Sequence, residues 1–304
     1  MIEGPIEPVL PGREAWLSAV SYWHPSHLPL SAWVRHAPFA SWIVSALRPG
    51  TIVELGTHWG YSYFVFCEAI RRLGLSSTAF ALDSWEGEEH AGVYGSEVYD
   101  YVASVNDREY SSFSTLLKGY FDDSLAAFDD GSIDLLHIDG RHRYEDVRHD
   151  FEHWLPKVSD RGVVLFHDIT ERRDDFGVWQ FWDEIRGSYP SFAFEHEHGL
   201  GVLGVGTELP EEIRTFFASA AERPEHVRRD YEALGEDIAR TIAFRDERDV
   251  YVRALGELRT ETARALAERD ATLLGLTNQL EAMRRSASWR VTAPVRAVTR
   301  SLHR

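Results

Sequence analysis

Five short apolar runs, at 51–55, 78–83, 115–118, 133–138 and 162–167, punctuate the first 170 residues, each bounded by turn residues or charge. Apolar runs of this length also occur in buried helices, but their brevity and regular spacing favour strands buried on both faces. Helical patterns fill the intervals at 62–73, 122–128 and 144–155. Strands alternating with helices close into a parallel sheet covered on both faces. Two more apolar runs, 192–195 and 200–205, are separated only by residues 196–199. Four residues cannot carry a parallel crossover, so this pair forms an antiparallel hairpin. The expected architecture is therefore α/β, with five parallel strands finished by an antiparallel C-terminal hairpin.

The rest of the chain is organised around that sheet. Residues 1–30 are rich in Pro, Trp and His without a clean period. A helical pattern starts at Ser31, an N-cap residue, and runs through Trp33, Val34, Phe39, Trp42, Ile43 and Leu47. Pro38 should bend or restart it, and Pro49 with Gly50 ends it. After Gly206 the strand signal stops, and 210–283 reads as helix broken near Pro224. An imperfect heptad runs through Val252, Leu255, Leu266, Leu273, Leu276, Leu280 and Met283, with Arg259, Thr262 and Arg269 at intervening core positions. That pattern fits either a weak coiled coil or a long amphipathic helix folded back on the body. The expected divisions are 1–207 for the sheet domain with its helical lead-in, 208–285 for a helical, partly coiled-coil extension, and 286–304 for a basic tail.

Composition narrows the class. With 304 residues, 44 % hydrophobic and 27 % charged, the chain is globular and not disordered. No run of about 18 apolar residues exists to span a membrane, and the start lacks the basic and apolar regions of a signal peptide. Cys67 is the sole cysteine, which excludes an internal disulfide framework or a multi-cysteine zinc site. These features suggest a cytoplasmic protein. The net charge is −17, yet the last 21 residues contribute six arginines and no acid, leaving −23 for the remainder. Such a body opposes nucleic-acid binding.

Chemistry concentrates where strands end. At Val53–Glu54–Leu55–Gly56–Thr57–His58–Trp59–Gly60–Tyr61–Ser62, a strand carries an acid, a glycine turn follows and a helix begins. The glycines let backbone approach a ligand, and the helix start offers free N–H groups. Three residues separate Gly56 from Gly60, unlike the G-x-G-x-x-G dinucleotide fingerprint, so a nicotinamide-dependent oxidoreductase is disfavoured. Asp83 ends the next strand, placed to accept from a ribose diol. Asp139 and His142 follow the strand at 133–138, and His167 with Asp168 ends the next. Acids and histidines thus gather at the carboxyl edge, where open α/β sheets bind ligands. His137 reads as a core or interface histidine, His149 and His153 as surface, and Cys67 as a small buried apolar residue.

These motifs resemble the class I S-adenosylmethionine-dependent methyltransferases over about residues 30–206. The likeness is carried by Glu-Leu-Gly-x-x-x-Gly-x-Ser at 54–62, Asp83, Ile-Asp-Gly-x-His at 138–142 and Phe-His-Asp at 166–168. It is nearest to the branch associated with sugar and polysaccharide modification. The resemblance implies a Rossmann-like seven-stranded sheet and S-adenosylmethionine as cofactor. Glu54 and Gly56 would hold its methionine end and Asp83 its ribose, with Thr57, Gly60, Ser62, Ser84 and Asp139 completing the cofactor site. His142 is the expected base because imidazole titrates near neutrality, with Asp139 and Asp168 beside it. Catechol-type relatives also imply Mg²⁺, here on Asp139, His167 and Asp168, although Ile169 stands where a third ligand, usually Asn, is expected. The insertion at 84–110 offers Trp85, His90 and Tyr94, with His142, to a small-molecule or glycan acceptor.

The expected reaction is O-methylation of a sugar, polysaccharide or glycosylated metabolite. The alternative is a catalytically degenerate scaffold in a polysaccharide assembly complex. The stretch Ser286–Ala287–Ser288–Trp289–Arg290–Val291–Thr292–Ala293–Pro294–Val295–Arg296 is similar to a segment found in bacterial polysaccharide glycosyltransferases and associated enzymes. Apolar residues interleaved with arginines suit an anionic membrane, implying peripheral attachment at the inner membrane face. A docking peptide or a disordered end is the alternative there. The heptads imply a homo-oligomer or a glycosyltransferase partner.

Overall fold

The structure is a computed structural model that describes residues 14–88, 92–93 and 95–302, with backbone alone at 88, 93, 297 and 299–302. Pro38 does restart the first helix. Its ring fits the first helical turn, where no N–H partner is needed, so a 3₁₀ turn at Val34–His36 precedes α1 (Ala37–Leu47). Next come β1 (Thr51–Leu55), α2 (Tyr61–Leu73) and β2 (Thr78–Asp83). Residues expected only as an insertion then form a two-stranded ribbon, β3 (Gly87–Glu88) and β4 (Gly92–Val93), and a full helix, α3 (Ser96–Glu109). Val98, Val102 and Val105 on one α3 face are buried, so packing at helical spacing makes the helix.

The chain continues through β5 (Ser114–Lys118), α4 (Phe121–Ser124), β6 (Ile133–Ile138), α5 (Tyr144–Trp154), β7 (Val158–His167) and α6 (Val178–Ile185). The hairpin strands are β8 (Ser191–Phe194) and β9 (Leu200–Gly204), followed by α7 (Glu211–Glu222) and α8 (Pro224–Arg285). Two short helices, α9 (Ala287–Val291) and α10 (Ala293–Leu302), complete the described chain.

The main sheet has the order β5-β2-β1-β6-β7-β9-β8. Its first five strands pair in parallel, and β9 and β8 close it antiparallel. This is the seven-stranded Rossmann-like arrangement expected. Alternate strand residues feed two apolar cores. Ile52, Ala81, Leu135 and Leu165 join one with α1, α2 and α7, while Val53, Leu82, Leu136 and Phe166 join the other with α5 and α6.

The domain boundary differs from the expectation at 207. The first compact unit ends at Ile242 and the second begins at Ala243. Ile213, Phe216, Phe217, Val227, Tyr231 and Ile238 are buried in the first core, so α7 and the start of α8 are part of that body. The Tyr231 hydroxyl also bonds the Trp16 carbonyl at 2.5 Å. Within the second unit, Leu255, Leu266, Leu273, Leu276, Leu280 and Met283 are exposed along α8. No described helix is long and apolar enough to cross a membrane.

Candidate active site

The β1–α2 turn is built by constraints on its glycines. Gly56 has φ +88°, and a Cβ there would fall 2.0 Å from the Asp139 carbonyl oxygen. Gly60, with φ +80°, would drive a Cβ to 2.8 Å from the Phe64 ring. Left-handed backbone and close approach together require glycine at both positions. Asp83 fastens the turn: its Oδ2 accepts from the Thr57 and His58 N–H groups at 2.8 Å each, and its Oδ1 from Trp85 N–H at 2.7 Å.

This turn borders a cavity of about 810 Å³ at the carboxyl edge of the sheet. Gly56, Thr57, Gly60, Ser62, Asp83 and Ser84 line one side, with Phe121, Asp146 and Asp150 at the α4–α5 end. Asp139, His142, His167 and Asp168 come from the ends of β6 and β7, and Trp33, Phe176 and His198 also line it. Thr57 Oγ1, Trp33 Nε1 and Asp146 Oδ2 on these linings are buried with no hydrogen-bond partner among the described residues. Buried polar atoms are seldom left unpaired in a finished fold, so the cavity is built for a polar occupant.

At its centre, His142 Nε2 lies 2.9 Å from Asp168 Oδ2 and 3.8 Å from Asp139 Oδ1. The His142 ring stacks on Phe176, with centroids 4.7 Å apart. His167 Nδ1 lies 3.2 Å from Asp139 Oδ1 and 3.5 Å from Asp168 Oδ2. Burial alone would depress the His142 pKa, but hydrogen bonds to Asp139 and Asp168 and their charges lift it to about 10. Against the opposing effect of burial, His167 also ends well above the ordinary imidazole range through the same two carboxylates. Both carboxyls are held below their usual range, burial being outweighed by these histidines. The cluster sets two imidazole rings against two carboxylates.

Several expectations change here. Glu54 does not line the cavity. It faces the same sheet side as Ile52, is fully buried, and its Oε2 pairs with His137 Nδ1 at 2.8 Å on the adjacent strand. Burial raises the Glu54 pKa, opposed by that bond. Trp85 is also withdrawn: it is buried edge-on to Tyr99, and its Nε1 donates to the His58 carbonyl. Asp139, His142 and Asp168 form the group whose ligand atoms lie within 4.8 Å of one another. His167, expected in that group, is replaced there by His142, although its Nδ1 faces both carboxylates while Nε2 meets the Glu197 carbonyl. The neutral titration expected of His142 gives way to a protonated ring at pH 7. His90 and Tyr94 lie outside the described residues.

Sequence reasoning did not single out Phe121, Asp146, Asp150, Phe176 or His198 for the site. Only Phe121, just past the end of β5, carried a signal, because it follows a strand at the same edge. His198 arrives on the β8–β9 turn, where Glu197, His198 and Gly199 all have positive φ. There the Glu197 carboxylate accepts from Arg35 N–H, and His198 Nδ1 pairs with Glu171 at 2.8 Å.

Residues 53–169 match a family model described as a methyltransferase domain. A curated relative, the uncharacterized protein y4gI of Sinorhizobium fredii (strain NBRC 101917 / NGR234), is 53 % identical over 183 residues. The match covers 60 % of this chain but only 20 % of that relative, so the chain spans about a fifth of its length. Among solved structures, the O-methyltransferase TomG from Streptomyces achromogenes is 16 % identical with a TM-score of 0.45, covering 59 % of this chain and 82 % of that one. An O-methyltransferase from Bacillus cereus is also 16 % identical, with a TM-score of 0.44 and coverage of 59 % and 84 %.

Proposed function

Residues 53–169 match a methyltransferase domain, and from that premise we propose that the chain is a class I S-adenosylmethionine-dependent methyltransferase that O-methylates a hydroxyl of a sugar, glycan or glycosylated metabolite. The observation that carries the reading is the cavity itself, with a tight glycine turn on one side and the His142–Asp168 pair on the other. S-adenosylmethionine fits this cavity by donor chemistry. Its hydroxyls and ammonium suit the unpartnered Thr57 Oγ1 and Asp146 Oδ2, and Gly56 and Gly60 leave room beside them. Asp83 keeps a spare lone pair after accepting three N–H groups, enough for a ribose hydroxyl.

When bound, the cofactor supplies an electrophilic methyl on sulfonium, so the protein's work is alignment and proton removal. His142 serves as base in the fraction of molecules where its ring is neutral: Nε2 then keeps its proton toward Asp168, and the acceptor hydroxyl proton passes to Nδ1. Asp168 orients the ring and stabilises the resulting imidazolium. Trp33 and Phe176 offer apolar faces to a sugar ring, and His198 offers a polar edge, a mixture typical of small-molecule sites. Mg²⁺ is a poor match for the central cluster, because it demands oxygen ligands and the group contains an imidazole already bonded to Asp168. The mechanism uses no step through it.

A scaffold that had lost catalysis would have no use for unpartnered buried polar atoms on a cavity wall. Calorimetric titration with S-adenosylmethionine and S-adenosylhomocysteine tests the reading, followed by mass spectrometry of sugars and sugar nucleotides after incubation. Binding that is lost in Asp83→Ala, with a 14-Da gain on a hydroxylated acceptor, is the expected result. Absence of binding by the folded chain overturns the enzyme, and methyl gain only on amines or thiols overturns the oxygen acceptor.

A further inference from the structure

The chain beyond Met283 has a chemistry of its own. Arg284 and Arg285 end α8, the Ser286 hydroxyl caps α9 by accepting from Trp289 N–H at 3.2 Å, and α10 follows after one turn residue. Hydrogen bonds from Thr292 N–H to the Ser288 carbonyl and from Arg296 N–H to the Thr292 carbonyl carry the helical path across that turn. Val291, Val295 and Val298, spaced by four and three residues, therefore share one helical face. Their exposures are 78 %, 68 % and 62 %. The Arg296 guanidinium lies 3.8 Å over the Trp289 ring and donates to the Trp289 carbonyl. The segment is thus a narrow apolar strip with cations at its border and one indole stacked under an arginine.

We propose that residues 284–298 dock on an anionic phospholipid bilayer, with the three valines at the acyl boundary and the arginines, with the Trp289 indole under Arg296, at the headgroup level. Charge complementarity selects this occupant. Six arginines fall in the last 21 residues with no acid among them. A second copy of the segment would set arginine against arginine without a carboxylate to pair. A nucleic acid or acidic peptide would use the cations but leave the valine strip in water. A bilayer takes both, since tryptophan favours the headgroup level and long cationic side chains reach outward from an apolar face.

The test is co-sedimentation of the full chain with vesicles of phosphatidylglycerol and phosphatidylcholine, set against phosphatidylcholine alone. Binding to the anionic vesicles is expected, with steep weakening as salt rises. Each arginine near such a surface is worth about fivefold in affinity, so the double variant R290E/R296E should bind at least about 25-fold more weakly. The triple variant V291D/V295D/V298D should lose the binding that survives high salt. Arg290 and the three valines are exposed and Arg296 is half-buried, so neither variant should disturb the helical circular-dichroism signal. Equal binding by wild type and R290E/R296E overturns the proposal, as does equal binding to neutral vesicles. Sedimentation as a dimer that these variants abolish, without vesicle binding, assigns the face to a second copy instead. Capture by an oligonucleotide in preference to the vesicles likewise refutes the bilayer.

Discussion

Two histidine–carboxylate pairs stand on neighbouring strands of this sheet, joined at nearly the same distance, 2.8 Å for Glu54–His137 and 2.9 Å for Asp168–His142. The first is sealed among Trp33 and Phe66, with both side chains fully buried and no cavity contact. The second opens into the cavity, and a second carboxylate, Asp139, stands beyond it. Composition and bonding are alike, so the difference lies in position. Glu54 and His137 are inner strand residues on one sheet face, while His142 and Asp168 lie past the last ladder hydrogen bonds, where the backbone turns their side chains to the edge. A sealed pair holds a fold together, and an open one can exchange a proton.

The largest expected effect is therefore at the open pair. His142→Ala should lower kcat by about 10²–10⁴-fold, the range for losing a general base, with cofactor affinity unchanged. Because the His142 pKa is raised to about 10, only a small neutral fraction exists at pH 7. Wild-type kcat should climb about tenfold per pH unit from 7 toward 9. Asp168→Asn removes one of the causes of that raised value, so its pH profile should shift to lower pH. A profile flat between pH 6 and 9, measured under saturating substrates, would remove His142 as base.

The same contrast explains what could be read in the chain beforehand. Strand runs were legible because Ile52, Val53 and Leu55, or Leu135, Leu136 and Ile138, are buried on both faces and leave an unbroken apolar signature. The edge residues Asp83, Asp139, His142 and Asp168 followed once the strand ends were known. Glu54 did not, because a strand alternates faces with a period of two. Its ladder partner is His137, which only the β1–β6 register reveals. α3 was missed because long polar stretches of 84–110 hide three valines at helical spacing. Phe176 and His198 come from loops whose path the tertiary packing decides.

Breaking the sealed pair should cost stability before it costs chemistry. Glu54→Ala leaves His137 Nδ1 buried without its partner, and disrupting a buried pair on one side typically costs about 3–5 kcal/mol. Urea unfolding should show that loss, while kcat per folded molecule stays within about threefold, since small changes at a distance move rates little. A hundredfold fall in kcat with unchanged stability would mean that the two pairs are not separate, and that Glu54 reaches the cofactor after all.

Asp150 lies between these two cases and gives the smallest expected effect. It is buried like Glu54 and lines the cavity like Asp168, but no described histidine or donor hydrogen-bonds to it. Burial raises its pKa to about 7, with Asp146 and Asp122 pushing in the same direction and His149 against it. Below about pH 4 this carboxyl is protonated in both folded and unfolded chains and costs nothing. As pH rises from about 4 to 7 the unfolded chain ionises first, so stability falls through that window and levels off above it. The full shift corresponds to about 4 kcal/mol at most. Asp150→Asn abolishes the ionisation penalty but buries an amide without a partner, which costs about 1–3 kcal/mol. The net gain at pH 8 should be about 1–2 kcal/mol, a few degrees in Tm, and should vanish or reverse at pH 4. Thermal unfolding of wild type and Asp150→Asn at the two pH values decides the matter. A stability difference that does not change with pH would show that Asp150 is already ionised in the folded protein, and that a cavity-facing carboxylate here needs no histidine to stay charged.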